Sequence, residues 1–334
     1  MSTTLDTRLP LTLMTGFLGS GKTTVLQRLL QHPGLADTAV IVNELGEIGL
    51  DHLLMDHVAE NLRVLNSGCL CCTVRGDLAE TLVALQVRRA AGEIAFNRVV
   101  IETTGLADPA PVLHTLVADP AVAASYRLAG VVTTVDVINA ESTLEHHAEA
   151  RRQVAMADVL LFTKTDLASP VAAAALGEQL ARINPGANQF TVVNGDVEPA
   201  VVLDASSELL GSHRWADRPA ELDHHHHHDH AIRAHCFCFD EPVRADAFAH
   251  WLELLAAMRG ERLLRYKGLV RVAEHPDEPL VVHGAQHVIH PPRRLPKWPS
   301  ADRRTRLVFI THDIERAELE RTLRKFAGVD LAQA

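Results

Sequence analysis

Short apolar runs recur through the first two hundred residues, spaced widely enough to hold a helix between most neighbours. Residues 11–15 (LTLMT), 38–42 (TAVIV), 98–101 (RVVI), 130–135 (GVVTTV), 159–162 (VLLF) and 190–193 (FTVV) read as β-strands with little polar alternation, and 63–65 (RVL) as a shorter one. Strands covered on both faces have no reason to alternate, whereas one-sided strands do. Helical periodicity appears at 25–31 and strongly at 77–91. The pattern predicts an α/β fold with a mostly parallel sheet and helices on both faces.

The texture changes after about residue 204. Residues 206–223 are polar and irregular and run into DHHHHHDH at 223–230. Beyond them the chain reads as a strand (231–239), a helix (244–258), two strands (262–273 and 279–289), a strand (306–311) and a final helix. The expected organisation is a first domain over 1–205, a His-rich linker over 206–230 and a smaller α+β domain over 231–334. No internal repeat is visible.

At 334 residues the chain can bury two cores. A formal net charge of −10 and a pI near 6.0 argue against nucleic acid or an anionic membrane surface as the main partner. Neither a signal-type apolar segment at the N-terminus nor an apolar run of membrane length is present. The five cysteines are odd in number and clustered rather than spaced as a disulfide framework, so a reducing cytoplasm is the expected compartment.

The first strand runs straight into GFLGSGKTT (16–24) and then a helix, the context a phosphate loop requires. Gly16, Gly19 and Gly21 let backbone N–H groups close around phosphates. With Ser20 and Thr24 they form a cradle at the positive end of a helix. Lys22 is placed for the β- and γ-phosphates and Thr23 for Mg²⁺. At the end of a late strand, TKTD (163–166) offers a base reader: the Asp166 carboxylate can accept guanine N1–H and N2–H, and adenine has no matching donors. Lys164 can lay its stem along the ring. Thr163 stands where many GTPases carry Asn and can tie the motif to the phosphate loop through its hydroxyl. GTP is therefore expected over ATP.

Glu102, in ETTG (102–105), occupies the strand-end acidic position that works with Mg²⁺, and the Gly105 amide is placed to contact the γ-phosphate. Residues 43–51 (NELGEIGLD) fall where a first switch loop would lie. Glu44, Glu47, Asp51 and Glu102 are the candidates for orienting the attacking water, with Glu47 and Glu102 taken as catalytic alongside Lys22 and Thr23. Lacking an evident glutamine or arginine finger, the chain should hydrolyse GTP slowly by itself.

Three thiols crowd into GCLCC (68–72). Adjacent Cys71 and Cys72 could join only in a strained bridge, so Cys69, Cys71 and Cys72 fit a soft-metal site better than a disulfide. The alternative is buried thiols acting as small apolar side chains. His224, His225, His226, His227, His228 and His230 form a weak accessory metal-collecting tract or, alternatively, a solvated linker. Cys236 and Cys238 share one face of a strand with His235, Phe237 and Phe239 on the other, and read as core packing. His283, His287 and His290 read as scattered surface or satisfied residues.

Taken together, GFLGSGKTT, NELGEIGLD, GCLCC, ETTGLADP (102–109), TKTD and LLRYKG (263–268) resemble the CobW family of GTPases, in particular its YjiA-like members, over almost the whole chain. The resemblance implies a SIMIBI-type P-loop NTPase fold with a CobW-like C-terminal domain, and kinship with the nickel-delivery GTPases of hydrogenase and urease maturation. It implies a nucleotide-dependent metallochaperone using GTP, Mg²⁺ and Zn²⁺, alternatively Co²⁺, with an apo-metalloprotein client as partner; a homo-oligomer is compatible with it. Roles in cobalamin biosynthesis or nitrile hydratase activation, and a zinc-buffering protein that merely senses nucleotide, are the alternatives.

Overall fold

A computed structural model describes residues 6–35, 37–42, 64–66, 75–203, 205 and 232–329. The chain divides into two compact units, Met1–Gly177 with Asn188–Leu209 and Glu178–Ala187 with Leu210–Ala334.

As far as Leu203 the described strands and helices run β1 (Leu9–Gly16), α1 (Lys22–Leu30), β2 (Thr38–Val42), β3 (Val64–Asn66), α2 (Arg75–Ala90), β4 (Arg98–Glu102), α3 (Ala110–Ala118), α4 (Pro120–Ser125), β5 (Tyr126–Asp136), α5 (Ala140–His146), α6 (Ala148–Met156), β6 (Val159–Thr163), α7 (Pro170–Ile183), β7 (Asn188–Thr191) and α8 (Pro199–Leu203), all in the first unit except the part of α7 from Glu178 onward. The strands form one sheet in the order β3-β2-β4-β1-β5-β6-β7, every pair parallel. Strand β7 begins two residues earlier than its apolar run suggests, because Asn188 N–H already bonds the Asp158 carbonyl.

Alternation assigns the two faces of this sheet. Met14, Val40, Val42, Val100 and Val132 share a core with Val25, Leu26 and Leu29 of α1 and Val202 of α8. The intervening residues look the other way. There the Tyr126 hydroxyl donates to the Leu82 carbonyl of α2 at 2.8 Å, and the Thr133 hydroxyl to the Gln153 carbonyl of α6 at 2.8 Å. Helices thus cover both faces. Because all strands run one way, Gly16, Glu102, Asp136 and Thr163 end on one edge of the sheet. The chain leaves β1 toward β2 on one side and places β5 on the other, which opens the crevice where such folds bind ligands.

The second unit contains β8 (Ile232–Phe239), α9 (Ala245–Arg259), β9 (Leu263–Val272), β10 (His275–Ala285), β11 (Val288–Ile289), β12 (Arg293–Arg294), β13 (Thr305–His312) and α10 (Arg316–Ala327). Its antiparallel sheet runs β11-β10-β9-β13-β8, with β12 paired to β10. Helices α9 and α10 contribute Trp251, Leu255, Leu319 and Leu323 to a core with Phe237, Tyr266 and Phe309. The apolar stretch 279–289 is not one strand: Gln286 adopts φ 52° and turns the chain between β10 and β11. Residues 263–268 are buried strand, and Lys267 Nζ donates to the Gly186 carbonyl at 2.6 Å, so this stretch is structural. No helix among the described residues is long and apolar enough to cross a membrane.

Trp251 is 1% exposed; it packs edge-on against Phe309 and donates Nε1–H to Thr322 at 3.1 Å. Trp251→Ala is expected to cost about 3–5 kcal/mol through lost burial and the cavity left behind. Chemical denaturation followed by circular dichroism measures it; a cost below ~1 kcal/mol would show that this core is not built around the indole.

Candidate functional site

The phosphate loop is shaped by its glycines. Gly16, Gly19 and Gly21 take φ of 142°, 70° and 91°, a region that side chains disfavour. A Cβ on Gly16 would lie 2.3 Å from Thr134 Oγ1, so that position admits no side chain. Helix α1 starts at Lys22, whose Nζ folds back onto the Gly16 carbonyl (2.9 Å) and the Phe17 carbonyl (3.2 Å). The ammonium thus stands at the centre of the loop.

Two neighbouring strands hold this loop from below. The Ser20 and Thr134 hydroxyls lie 2.7 Å apart, and the Thr163 hydroxyl donates to the Ser20 carbonyl at 2.7 Å. Thr163 therefore does for the loop what its sequence position suggests. Lys164 follows at φ 58° and places Nζ 2.7 Å from Asp136 Oδ2; Asp166 is exposed beyond it. The turn at Asn194 and Gly195, both with positive φ, presses on the first turn of α1: a Cβ on Gly195 would sit 2.7 Å from the Thr24 carbonyl oxygen.

On the other side of β1, the Thr23 hydroxyl donates to Glu102 Oε1 at 2.8 Å, and Glu102 is 3% exposed. A hydroxyl and a carboxylate side by side at the mouth of the loop are hard oxygen donors, a set that fits Mg²⁺. The loop after Glu102 returns over the phosphate loop. A Cβ on Gly105 would meet the Leu18 backbone at 2.6–2.7 Å, so the two loops touch main chain to main chain.

Residues that the sequence did not mark complete the site. Asp136 ends β5 on the same edge as Glu102 and Thr163, and besides Lys164 it accepts from Ile138 N–H and Asn139 Nδ2. Burial pushes its carboxyl up, but the Lys164 bond, then the Asn139 amide and the Ile138 N–H, outweigh burial and hold it below the ordinary value. Its position after an apolar strand was the available signal. Gln153 lies fully buried among Val154, Ala155 and Met156, and a lone amide in an apolar helix face was the hint there.

Glu47, the carboxylates Glu44 and Asp51, the thiols Cys69, Cys71 and Cys72, and the tract of His224, His225, His226, His227, His228 and His230 lie outside the described residues. Among the described residues no group of three or more His, Cys, Asp or Glu converges as a metal site. Cys236 and Cys238 do share a face, but not that of the main core. His235, Phe237 and Phe239 take the helix-covered side, leaving both thiols half-buried on the opposite one. His283 and His290 are not scattered: antiparallel pairing brings their rings into a stack, centroids 4.2 Å apart at 13°.

The family model for the CobW/HypB/UreG nucleotide-binding domain matches residues 10–191, and that for the cobalamin synthesis protein CobW C-terminal domain matches residues 232–327. The chain belongs to the CobW family. It is 33% identical over 320 residues to a protein of Escherichia coli K12 named zinc chaperone YjiA, covering 95% of this chain and 98% of that one. A Sinorhizobium protein named zinc chaperone CobW is 28% identical over 346 residues, covering 93% and 95% of the two chains. The crystal structure of the Zn(II)-bound YjiA GTPase from E. coli superposes with a TM-score of 0.70 at 27% identity, covering 96% of this chain and 99% of that one. In this CobW chain the phosphate loop, the strand-end glutamate and the TKTD motif thus stand on a nucleotide-binding domain of known lineage.

The folded-state carboxyl of Asp136 is depressed, so its contribution to stability is full above the ordinary value of 3.8 and is lost as pH falls through the lower folded value. The stability gap between wild type and Asp136→Asn, read by urea titration, should be constant from pH 7 to about pH 5 and shrink below about pH 4. At neutral pH, Asp136→Ala should weaken GDP binding by about tenfold, because Lys164 loses its anchor. Unchanged GDP affinity would show that Lys164 needs no such support.

Proposed function

We propose that the protein is a GTP-hydrolysing zinc chaperone, which binds Zn²⁺ as cargo on Cys69, Cys71 and Cys72 and passes it to an apo-metalloprotein according to nucleotide state. The observation that carries the reading is the convergence on one phosphate loop of a Thr23–Glu102 bond at 2.8 Å on one side and the Thr163–Ser20 tie at 2.7 Å on the other. The relatives' names, zinc chaperone and GTPase, support the metal and the nucleotide.

In this reading the amides of residues 16–24 and the Lys22 ammonium hold the β- and γ-phosphates. Asp166 and Lys164 read guanine, with Asp136 fixing the Lys164 head. Thr23 and Glu102 would hold Mg²⁺, which when bound shares the charge of the β- and γ-phosphate oxygens. Glu47 or Glu102 orients water for in-line attack at the γ-phosphorus; the bond to the β-phosphate oxygen breaks, giving GDP and phosphate. Cys69, Cys71 and Cys72 lie in sequence between the two switch segments, 43–51 and 102–109; in this reading GTP orders those segments and gathers the thiolates, and hydrolysis loosens them. Three thiolates leave a fourth zinc position for a client ligand, which suits transfer better than a closed structural site. Cysteine thiols kept for metal exchange require a reducing compartment, in keeping with the cytoplasm. The histidines at 224–228 and 230 act as a weak collecting arm.

Zinc affinity, measured by competition with a chromogenic chelator, should be tighter with a non-hydrolysable GTP analogue than with GDP, and zinc must tighten the analogue by the same factor. Replacing Cys69, Cys71 or Cys72 by Ser should weaken zinc by more than ~100-fold, since loss of even an outer-shell partner costs 10–100-fold in metal sites. Equal zinc affinity in both nucleotide states would reduce the protein to a zinc-binding GTPase without coupling.

A further inference from the structure

Helix α6 grips the loop that follows Glu102 at both of its ends. Gln153 Nε2 donates to the Gly105 carbonyl at 3.1 Å and to the Ala107 carbonyl at 3.0 Å. One residue earlier, Arg152 pairs with Asp108 at 2.6 Å, and Asp108 in turn accepts from Ala110 N–H at the start of α3. Gln153 is 1% exposed, and its Oε1 has no hydrogen-bond partner among the described residues. The amide is therefore oriented by the two loop carbonyls alone; turned over, it would set oxygen against oxygen.

The helix is itself fixed to the sheet that carries the phosphate loop. The Gln153 carbonyl is one of the last four of α6, which lack partners within the helix, and Thr133 supplies the missing donor at 2.8 Å. Thr133 and Thr134 are successive residues of β5 and point to opposite faces. The first holds α6; the second holds Ser20 of the phosphate loop. A single strand thus sets the distance between Gln153 and the phosphate loop.

Gly105 is pressed between these two supports, its α-carbon against the Leu18 backbone and its carbonyl on Gln153. A trans peptide points its C=O and the following N–H in opposite directions. Drawing the Gly105 carbonyl toward α6 therefore turns the Leu106 amide away from α6. We infer that Gln153 is a positioning residue for hydrolysis: it holds the 105–107 main chain so that its amides meet the terminal phosphate, and so distinguishes triphosphate from diphosphate. The inference rests on the proposed GTPase reading. Preorganised backbone donors act only while they are held in place, so the effect falls on the bound triphosphate and, more strongly, on its transition state, and not on GDP binding.

Two variants test this. Gln153→Met keeps the length and apolar stem and removes both donors; Gln153→Glu puts a carboxylate against two carbonyl oxygens. In Gln153→Met, kcat for GTP should fall by about tenfold, as for the loss of one to two net hydrogen bonds. GDP affinity and thermal midpoint should stay close to wild type, and the preference for a non-hydrolysable GTP analogue over GDP should shrink. Gln153→Glu should lower kcat further and, because it buries a carboxylate against two carbonyl oxygens, should also lower the thermal midpoint, so the split is read from Gln153→Met. Amide hydrogen exchange without nucleotide should show residues 104–107 less protected in both variants, with the strands unchanged. Unchanged kcat and exchange in Gln153→Met, or parallel loss of kcat, GDP affinity and thermal midpoint, would overturn the inference. Should the wild type hydrolyse no GTP, the functional reading falls, while the exchange measurement still decides whether Gln153 holds the loop.

Discussion

Ser20 is the point on which the phosphate loop rests. Its hydroxyl meets Thr134 from β5, and its carbonyl receives the Thr163 hydroxyl from β6. Both bonds are buried, where an unmade bond costs more than a made one gains. A glycine-rich loop has little conformational preference of its own. These two bonds, together with Lys22 folded over the loop carbonyls, fix it relative to the strand ends. The phosphate loop is thereby measured from these two strands.

The parallel sheet makes this economy available. When strands run one way, their C-terminal ends share an edge, and each end supplies one polar residue: Glu102, Asp136 and Thr163 beside the loop that follows Gly16. Their partners come from the loop or from one another. Glu102 holds Thr23, Asp136 holds Lys164, and Thr163 holds Ser20. Asp136 is compensated at hydrogen-bond distance by the Lys164 ammonium, which is the condition for keeping a carboxylate in a largely buried crevice.

The second unit answers a different physical problem. Its antiparallel sheet covers one face with α9 and α10, and the edge strand β8 alternates as a one-sided strand should, whereas β9 and β13 are buried along most of their length. The half-buried thiols Cys236 and Cys238 and the stacked His283–His290 pair belong to this simpler scheme: alternation and antiparallel register place them, without a converging ligand set among the described residues.

The sequence by itself determined the parallel strands of the first unit, their order along the chain and the phosphate loop, because burial on both faces writes an apolar run and a tight phosphate turn demands glycine at fixed spacing; the break at Gln286 between β10 and β11 left no such mark. The sequence also determined that Thr163 could stand in for a more usual asparagine, since only a hydroxyl within reach of the loop is needed. Tertiary structure alone decided which polar residues meet. Asp136 and Lys164 lie 28 positions apart, and Gln153 is 48 positions from Gly105; no local pattern relates them. Their pairing follows from strand order and from the face on which α6 lies, and both are set by how the whole sheet closes over its core.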